Sequence, residues 1–266
     1  MVKMKKGALF TLAFSFLGIL LLALAFTVHS NEQQYDDQVL TLSVLDRIYE
    51  IDSSIDKSLK DLFYLNSGII INKTPTTIDF IESLPNSNSI NTSFLEFKNF
   101  AEKNISNINL KLDTILTEIP LQIKPYDITY KHSSDIIFVI YPTINFNGFD
   151  ISIQLNGNIS TCTSDVESGT FPFSLTVQDT KGSTCIWSDP IDSSDDSEFE
   201  INNELIIEFD ENQLEIRLEN SSLTSIIKTS ISLSNTNQSY VRFANPSLSI
   251  NYTDFGILKE SYTTLR

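Results

Sequence analysis

The segment NGFDISIQLNG, Asn147–Gly157, decides how the larger part of this chain is read. Phe149, Ile151, Ile153 and Leu155 alternate with Asp150, Ser152 and Gln154, the period of two that sets apolar residues on one face of a strand. An Asn-Gly pair stands at each end, Asn147-Gly148 and Asn156-Gly157. Asn-Gly is a strong hairpin signal because both central residues of a type I′ turn need positive φ. The expectation is a three-strand meander over residues 145–161.

The same period recurs downstream. Phe171, Phe173, Leu175 and Val177 alternate, as do Leu214, Ile216 and Leu218, then Ile227, Thr229, Ile231 and Leu233, then Leu248, Ile250 and Tyr252. The runs Ile136–Tyr141 and Glu204–Phe209 add continuous apolar strands. About nine short strands separated by turns predict an antiparallel β-sandwich or jelly-roll-like domain over residues 126–266.

Cys162 and Cys185 are the only thiols. If Asn156-Gly157 is a two-residue turn, Ile151 faces Cys162, which then points inward. A five-residue loop Gln178–Gly182 pairs Leu175 with Cys185 and turns Cys185 and Trp187 inward; a four-residue loop turns Cys185 outward. In an exterior compartment two inward thiols predict a disulfide, the alternative being two free buried cysteines.

Two helical stripes precede the strands. Val44, Ile48, Ile51, Ile55, Leu59 and Leu62 step by three or four residues, with charges on the other side. Ser93 and Glu96 form a capping box ahead of Phe97, Ala101, Ile105, Ile108, Leu112, Ile115 and Ile119, and Pro120 and Pro125 stop that helix. Two such helices, joined by a turn-rich connector over residues 66–90 with one short strand at Ile69–Ile71, are expected to pair antiparallel.

Ahead of these lies Ala8–Val28, 21 residues without a charge. As a helix it spans about 31 Å, against about 30 Å for the hydrocarbon core of a bilayer. Lys3, Lys5 and Lys6 stand before it and Glu32, Asp36 and Asp37 after it, so the positive-inside rule puts the N-terminus in the cytoplasm and the rest outside, in a single-pass membrane protein. A signal peptide has a similar order of parts, and Ala23-Leu24-Ala25 fits cleavage before Phe26. The length of the run, its continuation through Val28, and the absence of Gly and Pro from Ile19 to Ser67 favour a retained anchor. The segmentation is a basic leader over 1–7, a transmembrane anchor over 8–28, an extracytoplasmic helical region with connector over 29–125, and the strand domain. The class is α+β.

A short basic leader, Lys6-Gly7, a wholly apolar helix, an amphipathic continuation and a β-rich domain together resemble the type IV pilin-like superfamily, archaeal pilins included. The resemblance covers about the first 60 residues. It implies cleavage by a dedicated peptidase at Gly7, leaving Ala8 first, and packing of the apolar helix in a filament core. Leu12 stands where many bacterial members carry Glu, and the Gln-rich start of some archaeal members is missing. The alternative is a plain signal-anchored surface protein.

Of the 266 residues 34 are acidic and 18 basic, a net charge of −16. Such a chain repels phosphate backbones, so no nucleic-acid partner is expected. The expected partners are membrane lipid through Ala8–Val28 and further copies of the chain through the N-terminal helix. There is no HExxH, GxSxG, phosphate-cradling loop or dinucleotide fingerprint, so no catalytic residue is assigned and no enzyme is expected; an exterior hydrolase is the least favoured class. His29 reads as an interfacial residue and His132 as an exposed turn residue. Asp189, Asp192, Asp195, Asp196 and Glu198 form the densest acidic run, a solvated loop or, as the one cofactor expectation, a calcium site. Exposed Tyr240, Phe243, Tyr252 and Phe255 on a flat sheet are the basis of an alternative function, a surface module binding a glycan or protein ligand.

Overall fold

The computed structural model describes residues 6–86, 90–104, 109–111, 120–142, 146–192, 197–210, 212–219, 223–244, 248–252 and 256–266. Helix α1 (Lys6–Asn66) leads into β1 (Ile70–Lys73) and β2 (Thr77–Leu84); α2 (Ile90–Asn104) follows, then β3 (Asn109–Lys111), β4 (Leu121–Lys124), β5 (Ile128–His132), β6 (Ile136–Ile140) and β7 (Phe146–Asn156). Next come β8 (Cys162–Asp165), β9 (Ser168–Phe171), β10 (Phe173–Asp179), β11 (Thr184–Trp187), β12 (Ser197–Ile201), β13 (Leu205–Asp210) and β14 (Gln213–Leu218). The last strands are β15 (Thr224–Leu233), β16 (Tyr240–Phe243), β17 (Leu248–Tyr252) and β18 (Ile257–Ser261).

The chain divides into two units, residues 1–51 and 52–266. In the first, α1 carries exposed large apolar side chains from Phe16 to Val28, with Leu22 73% and Phe26 79% exposed. The Thr27 hydroxyl donates to the Ala23 carbonyl at 2.8 Å, which satisfies it within the helix. Side chains in this helix are described from Phe16 onward except at 33, 34, 36 and 37, and among the described residues no helix is long and apolar enough to cross a membrane.

In the second unit α1 continues from Asp52, and Ile55, Leu59 and Phe63, four residues apart, are buried. Gly68, at φ +68°, adopts the left-handed conformation that ends a helix and favours glycine. Helix α2 departs from expectation at both ends. It begins at Ile90, so Ser93 lies inside it and is not its cap, and its last described residue is Asn104. Asn109–Lys111, expected to be helical, is the strand β3, with Leu110 paired to Ile250 of β17. Long-range pairing wins there over local periodicity. Ile105, Ile108, Leu112, Ile115 and Ile119 lie outside the described residues. Both helices reach the same ring of the eight-stranded sheet: Phe63 and Phe94 each rest edge-on against Phe243 of β16, at 5.8 Å.

The strands form a six-stranded sheet in the order β1-β2-β15-β7-β10-β11, an eight-stranded sheet in the order β16-β4-β5-β6-β14-β13-β12-β8, and a small sheet β18-β17-β3. All pairs are antiparallel except β7 with β10, which run parallel. The two large sheets stack as a sandwich. Phe80 of β2 stacks on Tyr130 of β5 at 4.0 Å, and Phe173 of β10 meets Phe199 of β12 at 5.0 Å and Phe209 of β13 at 4.9 Å. Phe80, Tyr130, Phe199 and Phe209 are at most 1% exposed, and each such side chain contributes about 2–3 kcal/mol from area removed from water. The fold is thus α+β and sandwich-like, and the strands begin well before residue 126.

The strand Phe149–Leu155 stands as expected, but neither Asn-Gly pair is a hairpin. Asn147-Gly148 lies inside β7, where the pairing with β15 shifts register between Ser232 and Leu233. Gly148 has φ +133°, and a Cβ there would come within 2.1 Å of the Pro172 carbonyl oxygen, which accepts the Phe149 N–H. Glycine is needed at this bulge for close backbone approach. At Asn156-Gly157 the chain leaves the six-stranded sheet and crosses to β8 in the other one, so the expected meander does not form. A turn with positive φ at both central residues occurs instead at Asn202-Asn203, with φ 58° and 56°, between β12 and β13.

Candidate functional site

The crossing from β7 to β8 is held from both layers. Asp179, ending β10, accepts the Lys181 and Ser183 N–H groups on one carboxylate oxygen, each at 2.8 Å, and the Ile159 N–H on the other at 3.0 Å. These bonds stabilise the ionised form, the Ile159 bond most, and bring its carboxyl down to about 2. From the eight-stranded sheet, the Asn202 side-chain oxygen accepts the Ser160 N–H at 2.8 Å and the Thr161 N–H at 3.2 Å, while its amide donates to the Asn158 carbonyl at 2.7 Å.

The clamp delivers Cys162 to Cys185, and the two form the disulfide, with Cα atoms 6.4 Å apart. The register behind that pairing differs from expectation. Cys185 pairs with Val177 rather than Leu175, because the loop is Thr180–Gly182 between Asp179 and Ser183. A shift by two keeps the same face, so Cys185 is buried as expected. Cys162 pairs with Ile201 on β12, not with Ile151, and is exposed. The bond therefore joins β8, the last strand of one sheet, to β11, the last strand of the other.

The acidic run does not gather. Asp189 is exposed, Asp192 is half-buried, and Asp195 and Asp196 lie outside the described residues. Glu198 is on β12, in register with Asp165 of β8 and Glu208 of β13. Glu208 pairs in turn with Glu215 of β14, giving a lateral row of four carboxylates on the outer face. Arg217 offsets their repulsion, reaching Glu208 at 2.6 Å and Glu215 at 3.2 Å. No group of His, Cys, Asp or Glu that could hold a metal occurs among the described residues.

A polar cluster that sequence reasoning missed sits inside the sandwich. Glu82 of β2 is 2% exposed; Tyr130 and His132 of β5 are 0% and 5% exposed. The Tyr130 hydroxyl donates to Glu82 Oε1, and His132 Nδ1 lies against Glu82 Oε2. His132, expected in an exposed turn, is instead the last residue of an inward-facing strand, paired with Ile137. Burial pushes the Glu82 carboxyl up, and the adjacent His132 offsets part of that rise.

The four aromatic candidates do not form one exposed face. Phe243 is core, 3% exposed, and Tyr240 is 39% exposed. Tyr252 belongs to β17 but its side chain, like Phe255, is outside the described residues. His29 lies on α1, exposed, and Lys6, Gly7 and Ala8 begin that helix. No protein-family model, no curated protein and no solved structure matches this chain.

Proposed function

We propose that this chain is a membrane-anchored extracytoplasmic structural or interaction protein, whose Ala8–Val28 segment both holds it in lipid and packs against the same segment of further copies, as in a pilin-like subunit of a surface filament. The observation that carries the reading is the 21-residue uncharged run with lysines on one side and carboxylates on the other. The exposed apolar side chains of α1 from Phe16 to Val28 support it, since such a surface needs lipid or another helix to cover it. The disulfide supports the exterior location, because disulfides persist in oxidising compartments. The acidic charge disfavours nucleic acid as a partner.

N-terminal sequencing of the mature protein from membranes is the test. Ala8 as first residue supports the pilin-like route, an intact start a plain anchor, and Phe26 a secreted protein. Full-length protein soluble in the cytosol with both thiols reduced overturns the reading. A second reading, a surface module that binds a glycan or protein, is favoured by exposed Tyr240 on β16. It predicts glycan-array binding that Tyr240→Ala abolishes.

A further inference from the structure

Glu82, Tyr130 and His132 are three titratable side chains inside the sandwich, and neither the disulfide end nor the N-terminal helix makes use of them. They come from both layers, Glu82 from the six-stranded sheet and the other two from the eight-stranded one. We propose that this cluster is a pH-sensitive latch between the two sheets, in which one proton on the Glu82 carboxyl sets how tightly β2 grips β5.

The contacts define the two states. With Glu82 ionised, Oε1 accepts from the Tyr130 hydroxyl and Oε2 lies against His132 Nδ1, but a carboxylate charge lies where water is excluded. With one proton gained, the hydrogen on Oε2 faces His132 Nδ1 and the neutral ring carries its own hydrogen on Nε2; the same three side chains stay together and the buried carboxylate charge is gone.

The groups facing Glu82 are few. Tyr130 and His132 reach it from β5. On its own sheet, β15 sets Ile227 opposite it, and the charged pair Lys228–Asp79, 3.1 Å apart, lies on the alternate positions of β15 and β2 that face outward. Among the described residues, the side chains against the Glu82 carboxyl come from β5. Burial is the main cause that holds this carboxyl above its ordinary value of 4.5. The folded chain then binds the proton more tightly than the unfolded chain. The latch contributes most at pH below 4.5, and its contribution falls as pH rises through the raised folded value. Acidification tightens the grip.

Urea denaturation of the full-length protein in detergent, across about pH 4 to 8, compares the wild type with Glu82→Gln, which holds the shape of the protonated acid. The folding constant of the variant relative to wild type is expected to rise with pH, by about tenfold for each unit by which the folded carboxyl is displaced. A ratio that does not change with pH overturns the latch. If Glu82→Gln does not fold, hydrogen exchange of the wild type decides. Amide protection in β2 and β5, corrected for intrinsic rates, is expected to fall across the same window, and constant protection overturns the proposal.

Discussion

Cys162 and Cys185 join the last strand of one sheet to the last strand of the other, at one end of the sandwich. The bond closes a loop with a sequence separation of 23, worth about 3 kcal/mol in the chain-entropy account. Cys162→Ser, Cys185→Ser and the double variant are expected to lose this amount equally, because either change breaks the one bond. Urea denaturation with and without reductant measures it, and reductant should leave all three variants unchanged.

Gly148→Ala should destabilise the fold although the residue gained is small. It places a side chain at φ +133° and drives its Cβ into the Pro172 carbonyl. A strained backbone position of this kind costs about 1–3 kcal/mol, read as a lower urea midpoint. Gly182→Ala, at φ +91° but with nothing within 4 Å of the added carbon, should lose less.

Asp179 gives the fold an acid limb. Its folded carboxyl, at about 2, lies below the ordinary 3.8, so the folded state prefers the ionised form. That stabilisation is complete above pH 3.8 and is lost as pH falls through about 2. Asp179→Asn carries no charge and has one acceptor oxygen for three N–H groups. Its melting temperature should lie below that of the wild type at neutral pH, and the two should converge as pH falls toward 2.

Phe243→Ala removes the ring on which Phe63 and Phe94 both rest. A buried Phe→Ala change costs about 3–5 kcal/mol. Because one ring serves both helices, far-ultraviolet circular dichroism should show helical signal lost ahead of strand signal on heating. Simultaneous loss would mean that the helices are held by other contacts.

Strands whose apolar period was clean were legible: Phe149–Leu155 is the middle of β7, and Leu214–Leu218 lies in β14. The β2 strand was not, because Glu82 faces inward and Ile81 outward, so the alternation of TIDFIESL is scrambled in composition though intact in space. The same contact hid His132. A polar Lys-His-Ser-Ser stretch signals solvent, and only a carboxylate 50 positions earlier, on the opposite sheet, makes its burial tolerable. Asn147-Gly148 carried a true signal for unusual φ but not the reason for it, which is the approach of Pro172. The disulfide pair was named from compartment and two inward thiols, of which Cys185 is buried but Cys162 exposed, and the Cys185 register depended on loop length, which sequence alone left open.

Strand β15 lies between β2 and β7, bonded to both along most of its length, yet it leaves the ribosome long after either. Until Leu233 has emerged, the six-stranded sheet lacks its centre, and the nascent chain must carry Ile78, Phe80 and Phe149 without a shared neighbour to cover them. Assembly of this sheet therefore waits on β15 and proceeds with the slow kinetics that distant pairings impose.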